Sequence, residues 1–252
     1  MKLKGRLTGK LKRRVPGFGR GVVTFGCAAA MFLCAGMARA QSQSNAGLSK
    51  VLAEMDASAA KFHSAQANFQ WDQFERVVNS TDTQKGIIYY LGSGASARMA
   101  LDIQTADGQP SKKTIVYSGG VLQFYQPQIN QMTVFHAGDK QEQYESYLTL
   151  GFGGSGSDLK KSWDITYQGM ETIDGIETAK LDLVSKDAGV RANFSHVTIW
   201  VDPTRAISLK QILYQPSGDL RTAYYRDIQY NQKISSSVFK IKTNSKTQVV
   251  EK

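Results

Sequence analysis

A chain of 252 residues with 31 Lys/Arg against 21 Asp/Glu carries a formal charge of +10, but nine of those basic residues and none of the acids lie in residues 1–40. The remainder holds 22 basic and 21 acidic groups, a formal +1, which excludes a protein steered by nucleic-acid phosphates. Both cysteines, Cys27 and Cys34, also fall in the first forty residues, so the rest has no thiol for a disulfide, a nucleophile or a zinc site.

Those forty residues read as a secretory signal. Basic residues from Lys2 to Arg20 precede an apolar run from Gly21 to Met37, and Ala38-Arg39-Ala40 supplies a small-x-small cleavage site. The apolar run is marginal for a bilayer core of ~30 Å. Arg13-Arg14 lacks the apolar stretch that should follow a twin-arginine pattern. Phe25-Gly26 and Phe32-Leu33 are poor approaches to a lipid-modified cysteine. Cleavage is expected after Ala40, leaving a flexible linker at 41–47 and a single domain over 48–252. A domain of that size buries roughly 70% of its unfolded surface, so its core alone can hold it together.

The domain begins with an amphipathic helix. Leu48, Val51, Leu52, Met55, Ala59 and Phe62 recur at helical spacing, with Lys50, Glu54 and Lys61 off the stripe. From there the chain reads β. Strands are predicted at Ala67 to Trp71, Gly86 to Leu91, Ala97 to Thr105, Lys113 to Ser118, Val121 to Tyr125 and Ile129 to Phe135. Five more follow, at Trp163 to Gly169, Ile176 to Ser185, Phe194 to Val201, Ile207 to Tyr214 and Leu220 to Tyr230. Their separators, among them Gly119-Gly120, Asp174-Gly175, Asp187 to Gly189 and Pro216-Ser217-Gly218-Asp219, are turn formers, and Pro110, Pro127, Pro203 and Pro216 all fall between predicted strands. About eleven short strands joined by short turns imply antiparallel neighbours. One interruption, Asp139 to Ser157, is too long for a hairpin turn. It carries Tyr144, Tyr147, Leu148 and Leu150 at helical spacing, then Gly151-Phe152-Gly153-Gly154-Ser155-Gly156, and a short helix is expected at Asp158 to Ser162. Such an insertion is a lid, a plug or a binding segment.

Residues for chemistry are sparse. His63, His136 and His196 sit in unrelated segments without metal-ligand spacing. Gly151-x-Gly153-x-x-Gly156 matches a dinucleotide fingerprint in letters, but no strand precedes it and no β-α-β unit follows, so a flexible hinge or lid tip is the better reading. Gly92-Ser93-Gly94-Ala95-Ser96 is a turn and no nucleophile elbow occurs. Asn79 and Asn193 open formal glycosylation sequons, which mean nothing if the source is bacterial, as the signal permits. No cofactor, no metal and no enzymatic activity are expected. What the chain has in surplus is bulky apolar groups on both faces of its strands, as at Ile87 to Tyr90, His196 to Trp200 and Tyr224-Tyr225, enough to line a cavity for an apolar ligand.

Several segments, in order, resemble the periplasmic outer-membrane lipoprotein carriers (the LolA-like family). Tyr117-Ser118-Gly119-Gly120-Val121-Leu122-Gln123-Phe124-Tyr125-Gln126-Pro127 and Asn130 to Val134 are similar to an early strand pair of that family. Tyr147 to Gly154 followed by Asp158-Leu159-Lys160-Lys161 looks like its mid-chain helix. Val197-Thr198-Ile199-Trp200-Val201-Asp202-Pro203, Ile207 to Lys210, Thr222 to Tyr230 and Val238-Phe239-Lys240-Ile241 resemble its tail. The resemblance covers most of residues 48–242. It implies an α+β fold, mainly antiparallel β: an incomplete, half-open barrel of about eleven strands with helices covering an apolar cavity. It further implies a periplasmic monomer that carries lipoprotein acyl chains, or another lipid, from an inner-membrane exporter to an outer-membrane acceptor.

Lid and wall residues on this reading are Leu48, Val51, Leu52, Met55, Phe69, Trp71, Met99, Leu101, Leu122, Phe124, Met132, Tyr147, Leu148, Leu150, Phe152, Ile199 and Trp200. The family's early-strand Arg, which helps hold the lid shut, has no counterpart in Leu91 to Ser96; Arg98 is nearest and fits the register poorly. Two rival readings are a periplasmic lipid- or lipoprotein-sensing regulator of the same fold, and a hydrolase with an unrecognised carboxylate or serine site.

Overall fold

A computed structural model describes residues 45–92, 96–138, 141 and 150–252. Helix α1 covers 45–59, and its buried Val51, Leu52 and Met55 follow the predicted stripe. Phe62 falls beyond the helix end and packs in a different cluster from those three. Strands β1 (Ser64–Glu75) to β6 (Gln131–His136) follow as hairpins: β2 is Ser80–Leu91, β3 Arg98–Ala106, β4 Gln109–Ser118 and β5 Val121–Gln126. Helix α2 (Gly156–Ser162) leads into β7 (Trp163–Ile173) and β8 (Ile176–Ser185); a short α3 (Ala188–Asn193) precedes β9 (His196–Asp202), β10 (Ile207–Tyr214) and β11 (Leu220–Tyr230). The last strand, β12, is Gln248–Glu251.

All twelve strands form one sheet in the order β12-β6-β5-β4-β3-β2-β1-β11-β10-β9-β8-β7. Every pairing is antiparallel except β12 with β6. The sheet does not close on itself, and this open, half-barrel α+β architecture is the one the sequence resemblance implied. Three details differ from expectation. β12 is a twelfth strand, added in parallel beside β6 by a polar four-residue segment with little sequence signal. Asp187 to Gly189, read as a turn, instead opens α3, with the Asp187 carboxylate accepting from the Val190 N–H at 3.0 Å. Pro110 lies inside β4, at its second residue and beside a register shift, where a missing N–H is tolerated.

Strand alternation sorts the side chains onto two faces. On the inner face, directly paired residues form rows across the hairpins. One row runs Ala67, Ile88, Leu101, Ile115, Phe124 and a second runs Ala65, Tyr90, Met99, Tyr117, Leu122. The same face of β7 to β10 presents Leu181, Leu183, Val197, Ile199, Val201 and Leu213, and onto these α1 lays Val51, Leu52 and Met55. The outer face is covered separately: the C-terminal segment sets Phe239 against Ala100 and Val116, with Tyr89 and Leu91 beside them.

Candidate functional site

A cavity of about 190 Å³ opens on the inner face. It is walled by Trp71, Ile88, Tyr90, Met99, Leu101, Ile115 and Leu122 on one side, and by Leu150, Gln211, Leu213, Arg221, Ala223 and Tyr225 on the other. Its walls are the two hairpin rows, so period-2 alternation in β2 to β5 builds it directly. Its cover is the Gly-rich segment before α2. Phe152 stacks on Tyr90 with ring centroids 4.0 Å apart and meets Tyr225 edge-on at 4.8 Å. Leu150 lines this cavity and also a smaller one of about 90 Å³, bounded by Met55, Leu159, Trp163 and Ile199 under α1. One leucine therefore stands between two voids.

The segment expected to be a flexible hinge is pinned by backbone hydrogen bonds. The Gly153 N–H donates to the Ala206 carbonyl at 2.9 Å, the Ser208 N–H to the Gly151 carbonyl at 2.6 Å, and Gln211 Nε2 to the Leu150 carbonyl at 2.6 Å. Phe152 thus bridges Ile207 at the start of β10, on the side that β11 occupies from Lys210 onward. Gly153 is obligatory: its φ is +70°, and a Cβ there would come within 2.2 Å of the Phe62 ring. Helix α1 is tied down as well. Asp56 accepts from the Ser157 N–H and Oγ, both at 2.9 Å, and Ser58 Oγ donates to the Pro203 carbonyl at 2.9 Å.

The structure gathers Trp71, Met99, Leu101, Leu122 and Leu150 around the larger cavity, with Phe152 as its cover. Met55, Ile199 and Leu150 border the smaller one. Val51 and Leu52 are packed against the β7–β10 half, with Leu48 partly buried beside them. Phe69 is core next to Trp71, ring centroids 4.8 Å apart, and Phe124 lies half-buried on the inner row.

Two expected wall residues face the other way. Trp200 follows Ile199 directly, so alternation puts it on the outer face, where Lys180 and Lys210 sit 5.0 and 4.4 Å from its ring. Met132 pairs with Tyr125 and shares its outer face. Tyr147 and Leu148 lie outside the described residues. Arg98 also points outward, its guanidinium 5.2 Å from the Phe239 ring, so it contacts neither the cavity nor the Gly-rich segment.

Tyr90 and Ile88, read from sequence only as bulk on a two-faced strand, line the cavity, as do Leu213, Ala223, Gln211, Arg221 and Tyr225, the last also read only as bulk. The inner-face alternation of β2 would have found the first two. The others depend on β11 pairing with β1, between segments about 150 residues apart.

Groups with displaced acidity lie elsewhere. Burial, then the charge of Asp102, raises Tyr89 on the outer face. Asp158 is lowered by Lys161 and the Ser155 hydroxyl, Glu171 by the Trp200 indole with Lys180 and Lys210, and Asp219 by the Arg76 backbone N–H and the Ser217 hydroxyl. Among the described residues no group of three or more His, Cys, Asp or Glu could hold a metal ion, and no helix is long and apolar enough to cross a membrane.

Comparison with solved structures finds similar chains. An uncharacterized conserved protein from Thermus thermophilus superposes with a TM-score of 0.52 at 12% identity, over 81% of this chain and 98% of the other, and so shares the fold. MucB is similar at a TM-score of 0.48 and 16% identity over 81% of this chain, which spans 66% of MucB. The LolA superfamily protein NE2245 from Nitrosomonas europaea gives 0.39 and 14%, over 77% of this chain and 97% of the other. No protein-family model and no curated protein sequence matches the chain.

Proposed function

We propose that this is an exported, non-enzymatic binder of lipid acyl chains, working in the periplasm as a carrier. The observation that carries the reading is the inner-face cavity, walled mainly by aliphatic and aromatic side chains and bordered by the pinned Gly-rich segment. Supporting it are the N-terminal export pattern and the ordered resemblance to lipoprotein carriers; lipoprotein acyl chains as cargo, with an inner-membrane exporter and an outer-membrane acceptor, follow from that resemblance.

The physics suits a ferry. Burying a methylene in a membrane is worth ~0.8 kcal/mol, so a lipid with long chains cannot cross water unaided. A groove that replaces the bilayer transiently must also release its cargo, and a closing segment held by a few hydrogen bonds is easier to displace than a helix stripe buried in a filled core. At about 190 Å³ the closed cavity admits only part of one chain. Displacing Leu150 would join it to the space under α1, and we take this as the opening step.

The test is titration of the purified protein with a fluorescent hexadecanoyl probe, together with native mass spectrometry of protein isolated from the periplasm. Saturable uptake with co-purifying lipid is expected. Absence of both overturns the reading.

A further inference from the structure

Arg221 is a cation set into an otherwise apolar wall. It lies on the inner face of β11, lines the cavity, and holds its guanidinium 5.3 Å from the Trp71 ring while Nε donates to Gln73 Oε1 at 3.0 Å. On the outer face of the same sheet, Lys180 is matched by Glu171 and Arg226 by Asp174, whereas Lys210 and Arg98 lie over aromatic rings. Arg221 has only a neutral amide, and no carboxylate pairs with it among the described residues. A second donor is unmet in the same wall, since the indole N–H of Trp71 is buried with no hydrogen-bond partner. The other polar lining groups are satisfied, Tyr225 Oη donating to Gln211 Oε1 at 3.3 Å and Gln211 Nε2 to the Leu150 carbonyl.

A guanidinium half withdrawn from water beside an unpaired N–H is costly unless an anion completes it. Stacking on an indole pre-orients the guanidinium fork and leaves its terminal nitrogens for a bidentate acceptor. Resting on the acyl-chain reading above, we propose that the ligand is a single-chain amphiphile with an anionic head. Its carboxylate or phosphate would be held by Arg221, pre-oriented on the Trp71 ring, and its chain would run inward between Ile88, Leu101 and Ile115. The cavity has room for one chain end, and its cation sits on the wall rather than in solvent.

The experiment is competition of hexadecanoate, hexadecyl phosphate and methyl hexadecanoate against the fluorescent hexadecanoyl probe, on wild type and on Arg221→Gln, Arg221→Lys and Trp71→Phe. In wild type at least one anion should bind about tenfold tighter than the ester, the size expected of a charge-assisted pair; which anion does so separates a carboxylate from a phosphate head. Arg221→Gln should erase the ratio between anion and ester affinities, Arg221→Lys should keep part of that ratio, and Trp71→Phe should reduce it by a smaller share. Equal binding of anions and ester in wild type, or a preference that survives Arg221→Gln, overturns the head-group proposal and leaves the acyl reading standing. Binding of none of the three overturns both.

Discussion

The two halves of the inner face are built from the same alternating strands and end up in different states. Over β7 to β10, helix α1 fills the space with Val51, Leu52 and Met55, and Leu181, Leu183, Val197, Ile199 and Val201 beneath it are fully buried. Over β1 to β5 and β11 a cavity of about 190 Å³ remains, lined by Leu150 and bordered by Tyr90 and Tyr225, on which Phe152 packs. Both walls are mainly aliphatic and aromatic, although the hollow one also carries Gln211 and Arg221. The difference lies in what packs on the strands: a helix stripe fills one half, and the other keeps a void.

That contrast makes predictions that can break it. The largest effect should come from Leu181→Ala in the filled half: a cavity at a fully buried site costs about 3–5 kcal/mol, measured as a loss in chemical denaturation, with the cavity opposite unaffected. Gly153→Ala should come next, at about 2–3 kcal/mol, because its φ of +70° suits glycine and the new Cβ meets the Phe62 ring. This variant should also take up the acyl probe faster in stopped flow, since it loosens the cover.

Leu122→Trp tests the hollow half alone. Adding bulk at the cavity wall should cut probe affinity about tenfold or more while stability changes by less than about 1 kcal/mol, because the ring enters empty space. A large destabilisation would mean that this half is as tightly filled as the other.

The smallest effect concerns Asp158 on α2. Its carboxyl is held below the usual range by Lys161 first and then by the Ser155 hydroxyl, so the folded state favours the ionised form. The resulting stabilisation is present above the ordinary carboxylate range and is lost as the pH falls through the lowered folded value. Asp158→Asn should flatten the acid limb of a melting-temperature profile slightly, as befits an exposed pair.

Much of this was legible in the residues. The predicted strands coincide with nine of the observed ones within about four residues, with the core of β1 and with the second half of β2, since alternation and turn chemistry are local signals. The stripe Val51, Leu52, Met55 was equally plain, as was the special character of the Gly-rich segment. Its rigidity was not: the glycines looked like a hinge, and only the approach of Phe62 and β10 explains why they are needed. Met132 and Trp200 looked like wall because bulk is visible in a sequence and facing is not. A one-residue step reverses the face, and which face is inner depends on where α1 and Phe152 settle.

The sequence by itself therefore determined what most segments become, β12 and α3 excepted, and that the fold would carry more apolar face than one helix can cover, because periodicity, turn residues and side-chain volume act over a few neighbouring positions. Tertiary structure alone decided where the uncovered part lies and what stands in it. The pairing of β1 with β11 brings Trp71 and Gln73 beside Arg221 from about 150 residues away, and no local pattern encodes a meeting at that distance.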